Sequence, residues 1–285
     1  MWWKVTAIVF VFLVLVIAVA IHYGKNRWRS DTRNLYAKME AVRISIVPAS
    51  YDPRELEGLP ALVQRYFRKV LKEGQPMVTA VNIDHTGTFN MSEAKERWVP
   101  FTSNQRVATR RPGFVWDARV RMAPGVTVHV HDAYVAGEGI LHAKLFGLLP
   151  VMKQPGTPEL AHGELMRFFA EAVWYPTSLL PSQGVIWEPI DDSRASATIT
   201  DGTTRVELVF QFDTEGLIRS VHSEGRYRDV DGVRVAIPWQ GHFWDYEVRG
   251  GMLVPLKGEV AWLFSEGAKP YWRGRISRLS YELAE

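Results

Sequence analysis

The pattern of hydrophobic and polar positions changes twice along the chain. Residues 5–21 are apolar apart from Thr6, which is about the minimum length with which a helix spans a bilayer. Apolar residues then recur at helical spacing over about 32–46 and 53–72. From Val78 onward the period shortens to two, which is typical of strands. The sequence therefore predicts an apolar helix, two polar-faced helices and then a sheet.

The periodicity after Val78 predicts twelve strands and one interrupting helix, at about 158–173. Asp201-Gly202 and the segment DTEG, 213–216, join neighbouring strands with the residues of tight hairpin turns, as does DVDG, 229–232. Successive hairpins imply an antiparallel meander. The predicted strands are 78–90, 97–110, 114–122, 126–136, 138–146, 185–190, 194–200, 203–213, 217–229, 233–249, 256–265 and 271–283.

These elements predict an α+β fold: a large, curved antiparallel sheet, resembling a half-barrel, with a few helices packed on it and a transmembrane helix before it. We assign residues 1–29 to a membrane anchor, 30–50 to a juxtamembrane helix and 51–285 to a single α+β domain. The concave side of such a sheet is either filled or forms a cavity.

The first segment has two interpretations, an uncleaved anchor and a signal peptide. Trp2 and Trp3 precede the apolar run, and Tyr23 and Trp28 follow it, as interfacial aromatic residues do. Residues 18–20, Ala-Val-Ala, have the form of a cleavage site. Basic residues after the run favour a cytoplasmic domain, whereas the short N-terminal tail favours export. We expect a single-pass protein of the cell membrane with its domain on the extracytoplasmic side.

Composition narrows the classes of function. The 285 residues are 47% hydrophobic and 23% charged, which is ordinary for a globular protein. The net charge is only +3 and no basic block alternates with aromatic residues, so we expect no nucleic-acid partner. The chain has no cysteine, which excludes disulfides and thiolate metal sites. Motifs such as GxSxG and HExxH are missing from the sequence, so no cofactor and no catalytic residue are assigned.

The segment 113–134 predicts a hairpin with one apolar and one polar face. A three-residue loop would place His131 opposite Asp117 and His129 opposite Arg119. This polar ladder is either a solvated outer face or a charged patch that binds an acidic head group inside the concavity. Because His129 and His131 lie on one strand face, a metal site is a third interpretation.

The segment 167–192 combines carboxylates with aromatic residues. Arg167 and Glu171 lie four residues apart on one helical face, and Trp174, Trp187 and Asp191 follow. The carboxylates could act as general acid and base. Alternatively, Arg167 bridges Glu171 and an aspartate and so fixes the helix on the sheet, because arginine suits such a clamp. We favour the clamp.

The chain is rich in aromatic residues, with 11 Trp, 10 Tyr and 13 Phe, which suit either a wide core or an apolar cavity. The segment GILHAKLFGLLPVMK, 139–153, which is rich in apolar residues, is either core or the lip of such a cavity. The leading hypothesis is that the protein binds an amphipathic, lipid-like ligand without chemistry. The residues assigned to ligand contact are Asp117, Arg119, His129, His131, Arg167, Glu171, Trp174, Trp187, Asp191 and Trp244.

Two alternatives remain, and each makes a different use of the same residues. One is a hydrolase that uses Glu171, Asp191 or Asp192, or a metal held by His129 and His131. The other is a structural partner in an envelope complex. Without an activated nucleophile in the sequence, an enzyme is not favoured. The expected partners are a membrane, through residues 5–21, and a lipid-like ligand.

Several motifs together resemble a bacterial family described only as a domain of unknown function. The resemblance runs from about Pro60 to the C-terminus and implies no established catalytic residues. The order of helices and meander also resembles the half-barrels that carry lipoproteins, which is an analogy of architecture. The motifs are RYF at 65–67, GFVWDARVRM at 113–122, DxYxxGxG at 132–139, RFFAEAVWYPTSLLP at 167–181, WEPIDD at 187–192 and PW at 238–239.

Overall fold

The structure, a computed structural model, describes residues 2–92, 95–230 and 233–285. The predicted turn at 229–232 lies partly outside these residues. The described residues form three α-helices, α1 (Trp2–Ala41), α2 (Ala61–Val70) and α3 (Pro158–Glu171). Short 3-10 helices precede α2 at Pro53–Leu56 and follow α3 at Ala172–Trp174, Pro176–Leu179 and Pro181–Gln183.

A single antiparallel sheet carries the fold. Its order is β6-β5-β4-β3-β2-β1-β13-β12-β11-β10-β9-β8-β7, so two meanders join where the first strand pairs with the last. The thirteen strands found in the described part of the chain are β1 (Val78–Asn90), β2 (Trp98–Ala108), β3 (Gly113–Ala123), β4 (Val126–Val135), β5 (Glu138–Leu145), β6 (Leu149–Lys153), β7 (Ile186–Pro189), β8 (Arg194–Asp201), β9 (Thr204–Phe212), β10 (Ile218–Val230), β11 (Val233–Arg249), β12 (Met252–Phe264) and β13 (Gly267–Leu283).

The sheet curves around α3. This helix packs against β4 and β5 of one meander and against β9 and β10 of the other, although these strands lie far apart in the sheet. Tyr134 on β4 donates a hydrogen bond from its hydroxyl to Asp201 on β8, at 2.8 Å. The predicted α+β fold with a half-barrel-like sheet is therefore confirmed, and its concave side is covered by α3 and α2.

A core of side chains fills most of the concave side. The amphipathic α2 buries Leu62, Val63, Tyr66, Phe67 and Val70 there. The predicted helix over 53–72 is broken because Gly58 has a φ of +83° and Pro60 stands at the start of α2. Helix formation resumes after this proline, in agreement with the preference of proline for helix starts.

The apolar N-terminal segment and the predicted juxtamembrane helix are one continuous helix. α1 runs unbroken from Trp2 to Ala41, through Ser30 and Asp31, where we expected a new helix to start. Asp31 does not cap a helix but pairs with Lys144 on β5 at 3.0 Å. Within the described residues, α1 is long and apolar enough to cross a membrane, which fits either a signal-anchor or a single span.

The second half of α1 lies on the face of the sheet opposite α3. Met39 is buried there against Ala108, Val115, Ala133 and Val135 of β2, β3 and β4. The predicted juxtamembrane helix therefore contributes to a second, smaller core, which attaches α1 to the domain.

Candidate functional site

A cavity of about 80 Å³ lies between α3 and the concave face of the sheet. Its wall is largely apolar, and charged side chains cover one part of it. The aromatic lining residues are Phe89, Trp116, Trp174, Trp239, Phe243, Tyr271 and Trp272. The charged lining residues are Asp132, Arg167, Glu171, Arg226 and Glu259.

Strand alternation and helical spacing bring these side chains together. Trp239, Gly241 and Phe243 alternate on β11 and all face the interior. On α3, Arg167, Ala170 and Glu171 recur at intervals of three and four, so they share one helical face. The cavity is therefore built from local patterns that the sequence carries, on elements that only the curved sheet brings face to face.

Arg167 is the centre of a buried polar network. Its Nε donates to Glu171 Oε1 at 2.8 Å, and its Nη1 donates to Asp132 Oδ2 on β4 at 2.7 Å. Its Nη2 donates to Gln105 Oε1 on β2 at 3.1 Å, and Gln105 Nε2 donates to Glu171 Oε2 at 2.6 Å. The guanidinium lies 5.1 Å from the ring centroid of Trp116. Each of its nitrogens is therefore engaged, as a buried guanidinium requires.

The arginine clamp predicted from the sequence is present, with one correction. Arg167 pairs with Glu171 as expected, but the aspartate it bridges to is Asp132 and not Asp191 or Asp192. Asp191 and Asp192 are exposed in the turn after β7, and Asp191 pairs there with Arg194 at 2.7 Å. That pair and the neighbouring Ser193 lower the pKa of Asp191 to about 2. These two carboxylates do not line the cavity.

A second carboxyl group lies beside the clamp. Glu164 on α3 is buried, and its Oε1 lies 3.7 Å from Arg226 Nη2. Burial, and then the neighbouring Asp132 carboxylate, raise the pKa of Glu164 well above its ordinary range. A protonated Glu164 leaves two guanidinium charges, Arg167 and Arg226, facing two carboxylates, Asp132 and Glu171. The network is then electrically balanced, which burial favours.

An open cleft of about 510 Å³ lies next to the cavity. Asn90 at the end of β1 lines it with Met91 and Ser92 of the β1–β2 connection. Trp262 of β12 and Lys269 and Tyr271 of β13 also line it. Tyr271 lines both the cleft and the cavity. Its hydroxyl accepts a hydrogen bond from Trp239 Nε1 at 3.0 Å, and its ring stacks on Trp262 at 5.5 Å. One side chain thus stands between the two spaces.

The polar ladder of the β3–β4 hairpin has the predicted register but a different environment. His131 pairs with Asp117 and His129 with Arg119. The ladder lies on the face opposite the concavity, where α1 covers Asp117, His129 and His131 and leaves Arg119 exposed. Trp28 stacks on His131 with ring centroids 3.7 Å apart, and its Nε1 donates to Asp117 at 2.9 Å. The outer-face interpretation therefore gives the right side of the sheet, but α1 rather than solvent covers Asp117 and the two histidines.

This covering changes the chemistry of the histidines. Burial lowers the pKa of His131 to about 3 and that of His129 to about 4, so both rings are neutral at pH 7. Thr32 Oγ1 lies 2.7 Å from His131 Nε2. In the described part of the chain, no three His, Asp or Glu side chains converge as a metal site would require. The geometry therefore gives no support to a metal held by His129 and His131.

Trp187 and Trp244 lie away from the cavity, unlike Trp174. Trp187 is buried against Phe67 and Phe210, and its Nε1 donates to the carbonyl oxygen of Leu179 at 2.9 Å. Trp244 is 43% exposed on the outer face of β11. Its neighbour Phe243 lines the cavity, whereas Trp244 does not.

Of the three carboxylates that the hydrolase hypothesis uses, Asp191 and Asp192 lie outside the cavity. Glu171 lines the cavity, but one of its oxygens accepts from Arg167 and the other from Gln105. A carboxylate acting as a base must have an oxygen within reach of the proton it removes. Glu171 therefore acts as part of the clamp.

Sequence reasoning missed four residues of this network: Asp132, Gln105, Glu164 and Arg226. Asp132 had a readable signal. Strand alternation puts it on the same face as Val128 and Val130, which is the apolar face of the hairpin. A carboxylate on an apolar strand face needs a cation as partner, and Arg167 is that cation.

Residues 57–281 match a family whose description reads "Family of unknown function (DUF6920)". The chain belongs to this family. The matched residues include α2, α3, nearly the whole sheet and all the residues that line the cavity. DUF6920 thus covers the domain and leaves out α1. No curated protein matches the chain.

Two solved structures share features of this fold. One is an outer membrane lipoprotein-sorting protein domain from Vibrio parahaemolyticus, which is 10% identical in sequence; the superposition covers 71% of this chain and 85% of that domain, with a TM-score of 0.38. The other is a LolA superfamily protein from Nitrosomonas europaea, which is 12% identical; the superposition covers 78% of this chain and 92% of that protein, with a TM-score of 0.33. These TM-scores are low, so no property of those proteins is transferred to this chain.

Proposed function

We propose that this DUF6920 protein is anchored in the cell membrane by α1, with its domain on the extracytoplasmic side, and binds an amphipathic, lipid-like ligand. The observation that carries this proposal is the aromatic cavity with its charged wall, next to an open cleft. The apolar part of the ligand inserts between the rings. The polar part lies in the cleft near Asn90, Ser92 and Lys269.

The sizes of the two spaces support this division. At about 80 Å³ the cavity holds only the end of an apolar tail, whereas the cleft, at about 510 Å³, lies in the usual range of ligand sites. Rotation of Tyr271 would connect the two, because this side chain lines both. The charged wall does not oppose an apolar guest, since Arg167 and its carboxylate partners are already bonded to one another.

The position of the cleft also supports a ligand that comes from the membrane. The strand pairing places four turns at the same end of the strands, which we call the cleft end: β1–β2, β3–β4, β5–β6 and β12–β13. The cleft opens at this end, between the first and the last of these turns. α1 contacts the β5–β6 turn through Gly24, three residues after its apolar run ends. The opening of the cleft therefore lies at the end of the strands that α1 connects to the bilayer.

Native mass spectrometry of the full chain in detergent, with lipid extraction of the same sample, tests this proposal. We expect a bound species of lipid mass that is released on denaturation. The variant Ala170→Leu fills the cavity, because Ala170 lines it, and should lose that species. Ala236→Leu makes the same change at an exposed position of β11 and should retain it.

The matched variants separate bound ligand from lipid that merely surrounds α1, since both carry the same α1. Equal retention by the two variants would contradict binding in the cavity. Absence of any lipid-mass species from the native chain would contradict the function itself.

A further inference from the structure

The β5–β6 turn and α1 meet backbone to backbone. A side chain at Gly24 would come within 2.7 Å of the Phe146 carbonyl oxygen and within 2.8 Å of Leu148 Cβ. A side chain at Gly147, which has a φ of +72°, would come within 2.9 Å of the Gly24 carbonyl oxygen. Glycine on both sides permits this approach. The turn is therefore fixed at one level of α1.

That level is the edge of the apolar segment. The run ends at Ile21, and three residues of helix advance about 4.5 Å. The polar layer on each side of the hydrocarbon core is about 5 to 7 Å thick. If α1 spans the bilayer, Gly24 and the turn beside it lie within the head-group layer.

The strand that follows the turn is apolar and uncovered. Leu149, Val151 and Met152 on β6 are 55%, 57% and 41% exposed. β6 is also an edge strand of the sheet. Exposed apolar residues on a sheet edge are an aggregation risk unless something covers them. Pro150 has no N–H to donate, which disfavours coverage by an added strand.

Charge favours a lipid surface as the occupant. Lys25 and Arg27 on α1, next to Gly24, are exposed, and Lys153 is exposed at the end of β6 away from the turn. Basic side chains at the level of the head groups are attracted to anionic lipids. Exposed apolar side chains next to exposed basic side chains are typical of segments that lie in the membrane interface.

We propose that the β5–β6 hairpin, through Leu149, Val151 and Met152, is a second membrane contact that inserts into the head-group region beside α1. This proposal rests on the membrane anchoring proposed above. The hairpin and α1 together fix the tilt of the domain, so that the cleft end of the strands faces the bilayer. Leu149, next to the turn, inserts most deeply.

Single-cysteine labelling tests this contact directly, because the chain has no cysteine of its own. The full-length variants Leu149→Cys, Leu13→Cys and Val248→Cys are labelled with an environment-sensitive fluorophore in phosphatidylethanolamine–phosphatidylglycerol vesicles. Leu13 lies within the apolar run. Val248 is 61% exposed near the β11–β12 turn, at the opposite end of the strands. Quenching is measured with nitroxide-labelled lipids and with aqueous iodide.

We expect the label at position 149 to be quenched by a lipid with a shallow nitroxide and to be several-fold less accessible to iodide than the label at 248. The label at 13 should be quenched by a deep nitroxide. A label at 149 that is as accessible to iodide as that at 248, while 13 is lipid-quenched, would overturn the hairpin contact and leave the anchor intact. Shielding of 149 from both quenchers would mean a protein partner and would also overturn it. Failure of lipid quenching at 13 would overturn the anchoring itself.

Discussion

The β3–β4 hairpin buries polar side chains on both of its faces, and it does so in two different ways. On the concave face, Asp132 joins the ionic network of Arg167 and Glu171. On the other face, His131 is covered by Trp28 and is neutral, because burial lowers its pKa to about 3. The concave face therefore pairs its charges in one network, whereas on the other face the two histidines are neutral and Asp117 lies 3.5 Å from the Arg119 guanidinium.

The difference shows what each face does for the molecule. An ion pair with several hydrogen bonds has one geometry, so the concave network fixes α3 relative to β2 and β4. The stacked ring of Trp28 and the neutral histidines hold α1 by packing and by the hydrogen bond from Trp28 Nε1 to Asp117. The first contact orders the cavity wall. The second ties the domain to the apolar helix.

The largest effect is expected from breaking the concave network with Arg167→Met. This change leaves Asp132 and Glu171 buried without their cation, which costs about 3 to 5 kcal/mol of unfolding free energy. Denaturant unfolding of the full chain in detergent measures it. Arg194→Met removes a surface arginine from its pair with Asp191 and should leave the unfolding free energy close to that of the native chain. Equal losses in the two variants would contradict the clamp.

A smaller effect is expected on the other face from Trp28→Phe. Phenylalanine keeps a ring for His131 to stack on but removes the indole N–H that Asp117 accepts. The loss of a hydrogen bond to a buried carboxylate costs about 2 kcal/mol. Hydrogen exchange should become faster in residues 26–41 of α1 and stay unchanged in α3. Faster exchange in α3 as well would mean that the two faces are coupled.

The pH dependence of stability should separate the faces with the smallest perturbation. The folded pKa of Glu164 is raised, so its contribution is present below its unfolded pKa and is lost as pH rises through the folded pKa. In Glu164→Gln this loss is absent. The variant should therefore gain unfolding free energy over the native chain as pH rises from 5 to 7, by at most about 1.4 kcal/mol for each pH unit, the limit for one proton.

The contribution of the histidine face to stability changes with pH in the opposite direction. His129 and His131 have lowered folded pKa values, about 4 and about 3. Their contribution is present above the unfolded pKa near 6.5 and is lost as pH falls toward those folded values. The native chain and Glu164→Gln should both show this acid loss, since the histidines are unchanged. Urea unfolding measured across the pH range checks both limbs, and parallel curves above pH 5 would contradict a neutral Glu164.

The sequence by itself determined the features that depend on near neighbours. Period-two patterning gave twelve of the strands, and the loop length gave the register of Asp117 with His131. Spacing of four placed Arg167 beside Glu171 on α3. β6 was missed because Phe146 and Gly147 turn the chain within an apolar run and leave Leu149 and Val151 exposed, so a solvent-facing strand there carries no polar alternation.

Only the tertiary structure decided the partners that come from distant elements. Asp132 meets Arg167 because the sheet curves around α3, and the curvature of thirteen strands is not encoded in any one of them. Trp28 covers His131 because α1 continues without a break past its apolar segment and packs on the outer face of the sheet. Local patterns specify which face of an element is apolar, but the long-range packing of those faces selects which buried charge meets which partner.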